Sequence, residues 1–300
     1  MHEFPAPARP LIAQMTQAAV DAPSRAVAYQ GAPGANSHIA ALQAFPDCLP
    51  LPCFSFQGAI DAVRDGRADR AIIPIENSQH GRVADMHFLL PESGLVIIGE
   101  HFLPIRHALM STGARDEIRQ AISHEQAIGQ CRQWLAGHGI TGVAYPDTAG
   151  AAARVKEMGD GEVAALAPPM AAELYGLTLH ESSIADADHN TTRFVVLARE
   201  AVARPSADTA MMTTLIFAVK NVPAALYKAL GGFATNGVNL TKLESYQREG
   251  SFAASEFYCD IEGAPGDPGI DHALDELRFQ TKWLRLLGSY PQARKRGAEG

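Results

Sequence analysis

One alternation constrains this chain more than any other feature. From about residue 27 to residue 200, short apolar runs of strand type give way to helical stretches, and a polar cluster stands where run after run ends. Runs at 27–30, 71–75, 95–98, 108–111, 142–145 and 163–166 read as strands, with a further strand from 184 leading into 194–198. Stretches at 38–45, 57–66, 82–90, 125–135, 150–157 and 169–174 read as helices. Such alternation argues for an α/β fold with largely parallel sheets. The polar clusters lie at 31–37, 76–78, 123–126, 147–149 and 189–193, and strand ends converging on one cleft are how such folds build ligand sites. Pro74 lacks a ladder donor, so pairing of the 71–75 strand is expected to stop near it.

Three hundred residues imply more than one folding unit. A net charge of -8 argues against a nucleic-acid binder, and Arg294-Lys295-Arg296 reads as a solvated tail. No stretch is long and apolar enough to span a membrane. Cys48, Cys53, Cys131 and Cys259 have neither zinc-site nor disulfide-framework spacing, which suits reduced thiols in the cytoplasm. Residues 1–24, with Pro5, Pro7 and Pro10, read as a flexible extension with a helical turn or more around 11–20.

Each polar cluster has a chemical and a structural reading. His189-Asn190-Thr191-Thr192-Arg193 brings an amide, two hydroxyls and a guanidinium to a strand start. Arginine binds a carboxylate through two parallel hydrogen bonds, and a hydroxyl donates to a departing oxygen. Alone, the segment reads better as a strand cap with a surface arginine. The turn from Gly31 through Gly34 to Ser37 can present backbone N–H groups to an anion at a helix N-terminus, although it lacks the dinucleotide and P-loop spacings. It reads equally as a tight turn capped by Asn36 or Ser37. Glu76 is a candidate acid, base or orienter, with Asn77 and Ser78 as ligands for substrate oxygens; Ser78 is also placed to cap the 82–90 helix, as Ser123 is to cap the helix from 125.

Residues 199–210 are polar and read as a linker. Beyond them, strands at 213–219, 238–246, 252–262 and 283–290 and helices at 224–235 and 270–281, with a hairpin turn at 247–251, give βαββαβ, a ferredoxin-like unit.

Taken together, Gly31-x-x-Gly34-x-x-Ser37-His38, Ile73-Pro74-Ile75-Glu76-Asn77-Ser78 with Gly81, Ser123-His124-x-Gln126 and Asn190-x-Thr192-Arg193-Phe194 resemble the monofunctional prephenate dehydratases, over residues 25–292. The C-terminal unit resembles an ACT domain, a small-molecule-binding regulatory module. The resemblance implies an α/β catalytic domain, two-lobed and periplasmic-binding-protein-like (type 2), over 25–200. Its first lobe is 25–103 with 183–200 and its second 104–182, followed by a linker at 201–211, a ferredoxin-like ACT domain at 212–292 and a tail at 293–300.

The implied activity is that of a hydro-lyase of L-phenylalanine biosynthesis, converting prephenate to phenylpyruvate, CO2 and water. Aromatisation of the ring drives that reaction, so no cofactor and no metal are expected. The resemblance makes Thr192, Glu76 and Asn77 the catalytic set. Gly31, Gly34, Ser37, Ser78, Ser123, Gln126, Gln130, Thr148, Asn190 and Arg193 become substrate-binding. Phenylalanine is the implied allosteric effector, at Ala224, Ala225, Leu226, Asn236, Asn239, Leu240, Glu244 and Ser245. A cytoplasmic homodimer or homotetramer is the implied assembly, with neither nucleic acid nor membrane as partner. The chain departs from the family at Pro223-Ala224-Ala225-Leu226, where Gly-Ala-Leu is common, and at Glu244-Ser245-Tyr246-Gln247, where Glu-Ser-Arg-Pro is usual. Asn36 stands where an aromatic is frequent. Arogenate dehydratase and a non-catalytic amino-acid sensor are the competing readings.

Overall fold

The computed structural model describes residues 4–83, 86–187, 189–247 and 256–296. The chain forms two compact units, Met1–Val83 with His101–Phe194, and Ala84–Glu100 with Val195–Gly300. In chain order, α1 (Ala8–Asp21) is followed by β1 (Ala26–Gln30), α2 (Asn36–Ala44), β2 (Leu49–Cys53), α3 (Phe56–Arg64), β3 (Arg70–Asn77) and β4 (Gly81–Arg82). Then come α4 (Met86–Glu92), β5 (Val96–Pro104), β6 (Ala108–Ser111), β7 (Gln120–Ser123), α5 (Glu125–Gln130), α6 (Arg132–Gly137) and β8 (Thr141–Ala144). They are followed by α7 (Thr148–Met158), β9 (Val163–Ala167), α8 (Pro169–Tyr175), β10 (Thr178–Ser182) and β11 (Thr191–Ala198). The rest is β12 (Met211–Val219), α9 (Ala225–Thr235), β13 (Leu240–Tyr246), β14 (Glu256–Glu262), α10 (Pro268–Gln280) and β15 (Thr281–Pro291).

The first sheet runs β2-β1-β3-β11-β5, with β4 added to β3. β1 is parallel to both β2 and β3, as the alternating pattern requires. The second sheet runs β10-β6-β9-β7-β8. Its β8, β7 and β9 are mutually parallel, but β6 is antiparallel to β9 and to β10. This corrects the largely parallel expectation. β6 enters straight from the first sheet, without a crossover helix, so no βαβ connection fixes its direction. An alanine-rich α7 lies on this sheet, with Ala149, Ala151, Ala152 and Ala153 fully buried beside Met110 and Ala165. Small side chains there let helix and sheet backbones approach closely.

Several local expectations are corrected. Residues 1–24 are not merely a flexible extension: α1 spans fourteen residues and buries Ala8 and Ala19, while Leu11 and Ile12 pack on the core beside Ala8. The prolines misled because all three fall before or within the first turn, where no intrahelical N–H is needed. β3 continues past Pro74 to Asn77. Its register with β1 ends at Ile72, so the missing N–H falls where that partner has already left. A strand that the sequence reading did not place, β2, stops at Cys53, and Ser55 caps α3 by accepting from Gly58 N at 3.0 Å. The helix expected at 82–90 begins at Met86, because Gly81 and Arg82 fold back as β4. Ile184 is not in a strand; none intervenes between β10 and β11 among the described residues. The tail is not simply solvated, since Arg296 pairs with the buried Glu100 at 2.6 Å and Ala293 N donates to the same carboxylate.

Within the second unit, β12-α9-β13-β14-α10-β15 forms a sheet of order β13-β14-β12-β15, antiparallel at each pairing, which is the ferredoxin-like arrangement. Leu215, Phe217, Phe257 and Cys259 on the sheet meet Phe233, Leu274 and Leu277 on α9 and α10. The turn expected at 247–251 and the strand start at 252 lie largely outside the described residues. At Gly288 on β15 the backbone lies so close to β5 that a Cβ would stand 2.1 Å from Ile97 O. Gly288→Ala therefore forces backbone apart, and overpacking of this kind costs about 1–3 kcal/mol. A fall in melting temperature of several degrees is expected, and an unchanged melt contradicts the close packing.

Candidate active site

The site is built where β3 ends beside the start of β11. Asn77 Nδ2 donates to Asn190 Oδ1 at 2.8 Å and to Thr192 Oγ1 at 3.0 Å. Its Oδ1 accepts the backbone N–H of Gln79 at 3.0 Å and of His80 at 3.1 Å. Two backbone donors on one atom settle which end of the amide is oxygen. Thr192 Oγ1 is therefore an acceptor from Asn77, and its own proton remains available. Asn190 likewise spends its oxygen on Asn77. Its Nδ2 is buried and has no hydrogen-bond partner among the described residues. A buried donor left so costs about 1–3 kcal/mol, which an incoming oxygen acceptor would recover.

Successive residues of a strand face opposite sides. Asn77 and Thr192 share one face of the strand pair, so Glu76 and Arg193 stand on the other. There Arg193, 5% exposed, lies 3.7 Å from Glu76. The two charged members of the expected site thus face each other, away from Thr192. Ser78 does not cap a helix: its N–H donates to Thr191 O, and its Oγ accepts from Thr191 N, both at 2.9 Å. It locks the ends of the two strands together.

The glycine turn differs from an anion cradle. Ala32 N donates to Asp147 Oδ2 at 3.2 Å, Gly34 N to His38 Nδ1 at 3.0 Å, and Ala35 N to Ala32 O at 3.0 Å. The N–H groups that follow Gly31 and Gly34 are already used. Gly34, at φ +92°, passes so close to α8 that a Cβ would meet Ala171 Cα at 3.0 Å, and Tyr175 OH donates to Pro33 O at 2.8 Å. Burial pushes the His38 imidazole down to about 4, which keeps its Nδ1 an acceptor at neutral pH. Asp147 also caps α7 through Gly150 N at 2.9 Å. Burial raises its pKa, against the opposing pull of the N–H groups of Ala32, Gly150 and Ala149. Neither Asn36 nor Ser37 caps α2; Ala35 holds that position with no side-chain bond.

Ser123 is fully buried and donates to Leu166 O at 2.6 Å, while His124 is the actual cap of α5, accepting from Gln126 N. Gln126 is exposed, and Thr148 is half-buried at the start of α7. Gln130 reaches the Asn77 turn: its Nε2 lies 3.0 Å from His80 Nδ1, and its Oε1 lies 2.6 Å from His107 Nε2. Burial lowers the pKa of His107, and the neighbouring His80 adds to the shift against the raising effect of the Gln130 bond. His80, His107 and Arg106 escaped the sequence reading. Their signal was there, since Arg106-His107 follows a strand as the other polar clusters do. Arg106 lines a cavity of about 310 Å³ with Asn36, Gln43, Leu103, Pro104 and Pro168, and brings a guanidinium to its wall.

Of the expected effector residues, Asn236 Nδ2 donates to Gly232 O and Glu276 Oε1, at 2.8 and 3.0 Å, and Asn239 Nδ2 to Glu262 Oε2 at 2.9 Å. Ala224, at φ 60°, opens α9 ahead of Ala225 and Leu226. Leu240 and Ser245 pair with Ile261 and Phe257 on the helix-covered face of the sheet. Glu244 falls on the opposite face, where Lys242 lies 2.9 Å away and Tyr246 OH donates to it.

The prephenate dehydratase family model matches residues 27–202. A curated relative, the bifunctional N-acyl-homoserine lactone acylase/prephenate dehydratase of Komagataeibacter europaeus, is 47% identical over 89% of this chain and 96% of its own. Arogenate dehydratase/prephenate dehydratase 1 of Arabidopsis thaliana is 37% identical over 88% of this chain and 71% of its own. Among solved structures, the Arthrobacter aurescens prephenate dehydratase in complex with L-Phe is 31% identical with a TM-score of 0.81, covering 89% of this chain and 90% of that one. A matched catalytic region, full-length relatives and a shared three-dimensional arrangement agree, and the chain belongs to the prephenate dehydratase family of hydro-lyases.

Proposed function

We propose that this chain converts prephenate to phenylpyruvate, CO2 and water, with Thr192, Asn77 and Asn190 as the residues that touch substrate. The observation that carries this reading is the pinned amide of Asn77, which accepts from Gln79 N and His80 N and donates to Thr192 and Asn190. In the reaction the bond from the ring to the departing carboxylate breaks. Its electron pair enters the ring, and the ring carbon opposite expels its hydroxyl group. Negative charge grows on that oxygen. A hydroxyl already accepting from Asn77 is polarised to donate toward it, and a fixed donor placed where charge develops lowers the barrier without reorganisation. A proton taken up from solvent and passed on through the Thr192 hydroxyl, which is left protonated as before, completes the departure as water. The Nδ2 of Asn190, without a hydrogen-bond partner among the described residues, supplies a second donor for a substrate oxygen. Arg106 follows Ile105, whose N–H donates to Asn190 O at 2.8 Å, and offers the charge a dicarboxylate needs. Glu76 and Arg193 act from the far face, holding β3 and β11 in register.

The chemistry is tested with Thr192→Val, which keeps the shape and removes the donor. Phenylpyruvate formation from prephenate is expected to fall by about 10²–10³ in kcat, the usual loss for one such donor, with Thr192→Ser retaining most of it. Turnover of Thr192→Val within tenfold of wild type contradicts the assignment. The plant relatives favour a second reading, arogenate as substrate. The ratio of kcat/KM values for the two compounds decides between them. The acylase activity named for the 47% identical relative is read in the same preparation from release of homoserine lactone.

The ferredoxin-like unit is read here as an ACT domain that binds phenylalanine and lowers turnover, in a cytoplasmic homodimer or homotetramer. Support comes from its topology and from the bound L-Phe of the Arthrobacter aurescens relative. Saturating phenylalanine is expected to raise the unfolding free energy, by about 2.7 kcal/mol at a hundredfold excess over Kd, and to reduce the initial rate. A melt and a rate both indifferent to phenylalanine contradict this.

A further inference from the structure

Three successive residues after Asn77 each reach a different partner. Ser78 exchanges hydrogen bonds with Thr191, Gln79 Nε2 donates to His189 O at 3.1 Å, and the ring of His80 meets Gln130 at 3.0 Å. The first two ties stay beside β11. The third is different in kind: Gln130 closes α5, which packs on the second sheet, whereas His80 follows β3 of the first. Gln130 is itself held, since the buried His107 lies 2.6 Å from its Oε1 and its carbonyl accepts from Asp186 N at 2.7 Å. His80 therefore grips a fixed point. Its backbone N–H, meanwhile, is one of the two donors on Asn77 Oδ1.

We propose that His80 is a positioning residue: by gripping Gln130 it fixes the 78–80 turn and, through its own backbone N–H, the direction in which Asn77 presents its amide to Thr192. This rests on the role given above to Thr192. Without the ring, the turn keeps its ties to β11 and the pairing of Asn77 with Gly81 in the β3–β4 hairpin but loses its anchor on α5, and the donors on Asn77 Oδ1 loosen. The amide is then free to turn over. A turned amide offers its oxygen to Thr192, which spends its proton on Asn77 and no longer donates to the departing oxygen. Substrate binding through Asn190 Nδ2 and Arg106 is left largely in place. The loss therefore falls on kcat rather than KM.

The test compares His80→Ala with His80→Asn, whose side-chain amide reaches the position of the imidazole Nδ1. His80→Ala is expected to lower kcat by roughly 10- to 100-fold, the scale of a displaced catalytic group, with KM within twofold and the melting temperature close to wild type. His80→Asn is expected to recover most of the loss. An undiminished kcat in His80→Ala, a loss confined to KM, or a His80→Asn no better than alanine overturns the proposal. A crystal structure of His80→Ala reads the same point without activity. There, an Asn77 amide keeping both N–H donors and its 3.0 Å approach to Thr192 also overturns it. A wild type that converts neither prephenate nor arogenate removes the functional reading, and the latch is then judged on that Asn77 geometry alone.

Discussion

The site depends on one side-chain amide whose orientation is not free. Asn77 accepts two backbone N–H groups from its own turn, and that fixes its other end as a donor. From this single constraint follow the direction of the Thr192 hydroxyl and the commitment of the Asn190 oxygen to Asn77, which leaves its buried Nδ2 as a donor. A chain that left Asn77 able to turn over would hold the same residues at the same distances with the hydrogen-bond polarity reversed. Four hydrogen bonds on one amide are what turn a polar cluster into a site with a sign.

The sheet supplies the second layer of control. Strand alternation puts Asn77 and Thr192 on one face and Glu76 with Arg193 on the other. The buried Arg193 guanidinium is thereby turned to the partly exposed Glu76 carboxylate, away from Thr192. The glycine turn is organised on the same logic. Its N–H groups are consumed by Asp147, His38 and Ala32 O, so the turn is held by its own neighbours.

Much of this was legible in the sequence, for identifiable reasons. Strand runs such as 71–75 and 163–166 are apolar, short and bounded by turn residues, and periodicity finds them. The βαββαβ order of the second unit was readable for the same reason. What failed were features set by tertiary partners. A helical turn or more around 11–20 was read, but the full extent of α1 was hidden by prolines that its first turn tolerates, and β4 is only two residues long. The direction of β6 depends on where the chain enters the second sheet. At the site, residue types were legible but hydrogen-bond polarity was not. Nothing in the string Glu-Asn-Ser tells that Ser78 would tie to Thr191, that Arg193 would turn to Glu76, or that His80 and His107 would meet at Gln130. Those outcomes depend on residues 23 to 117 positions apart in the chain.

The central claim is that Asn77 and Thr192 act as one unit, and a double-mutant cycle measures that directly. With kcat/KM determined for wild type, Asn77→Ala, Thr192→Val and the double variant, the account predicts strong non-additivity. The double variant should lose little more than the worse single one, leaving a coupling energy of about 1.5–3 kcal/mol. Losses that simply add, to within about 0.5 kcal/mol, would mean that the amide does not orient the hydroxyl and would contradict the account.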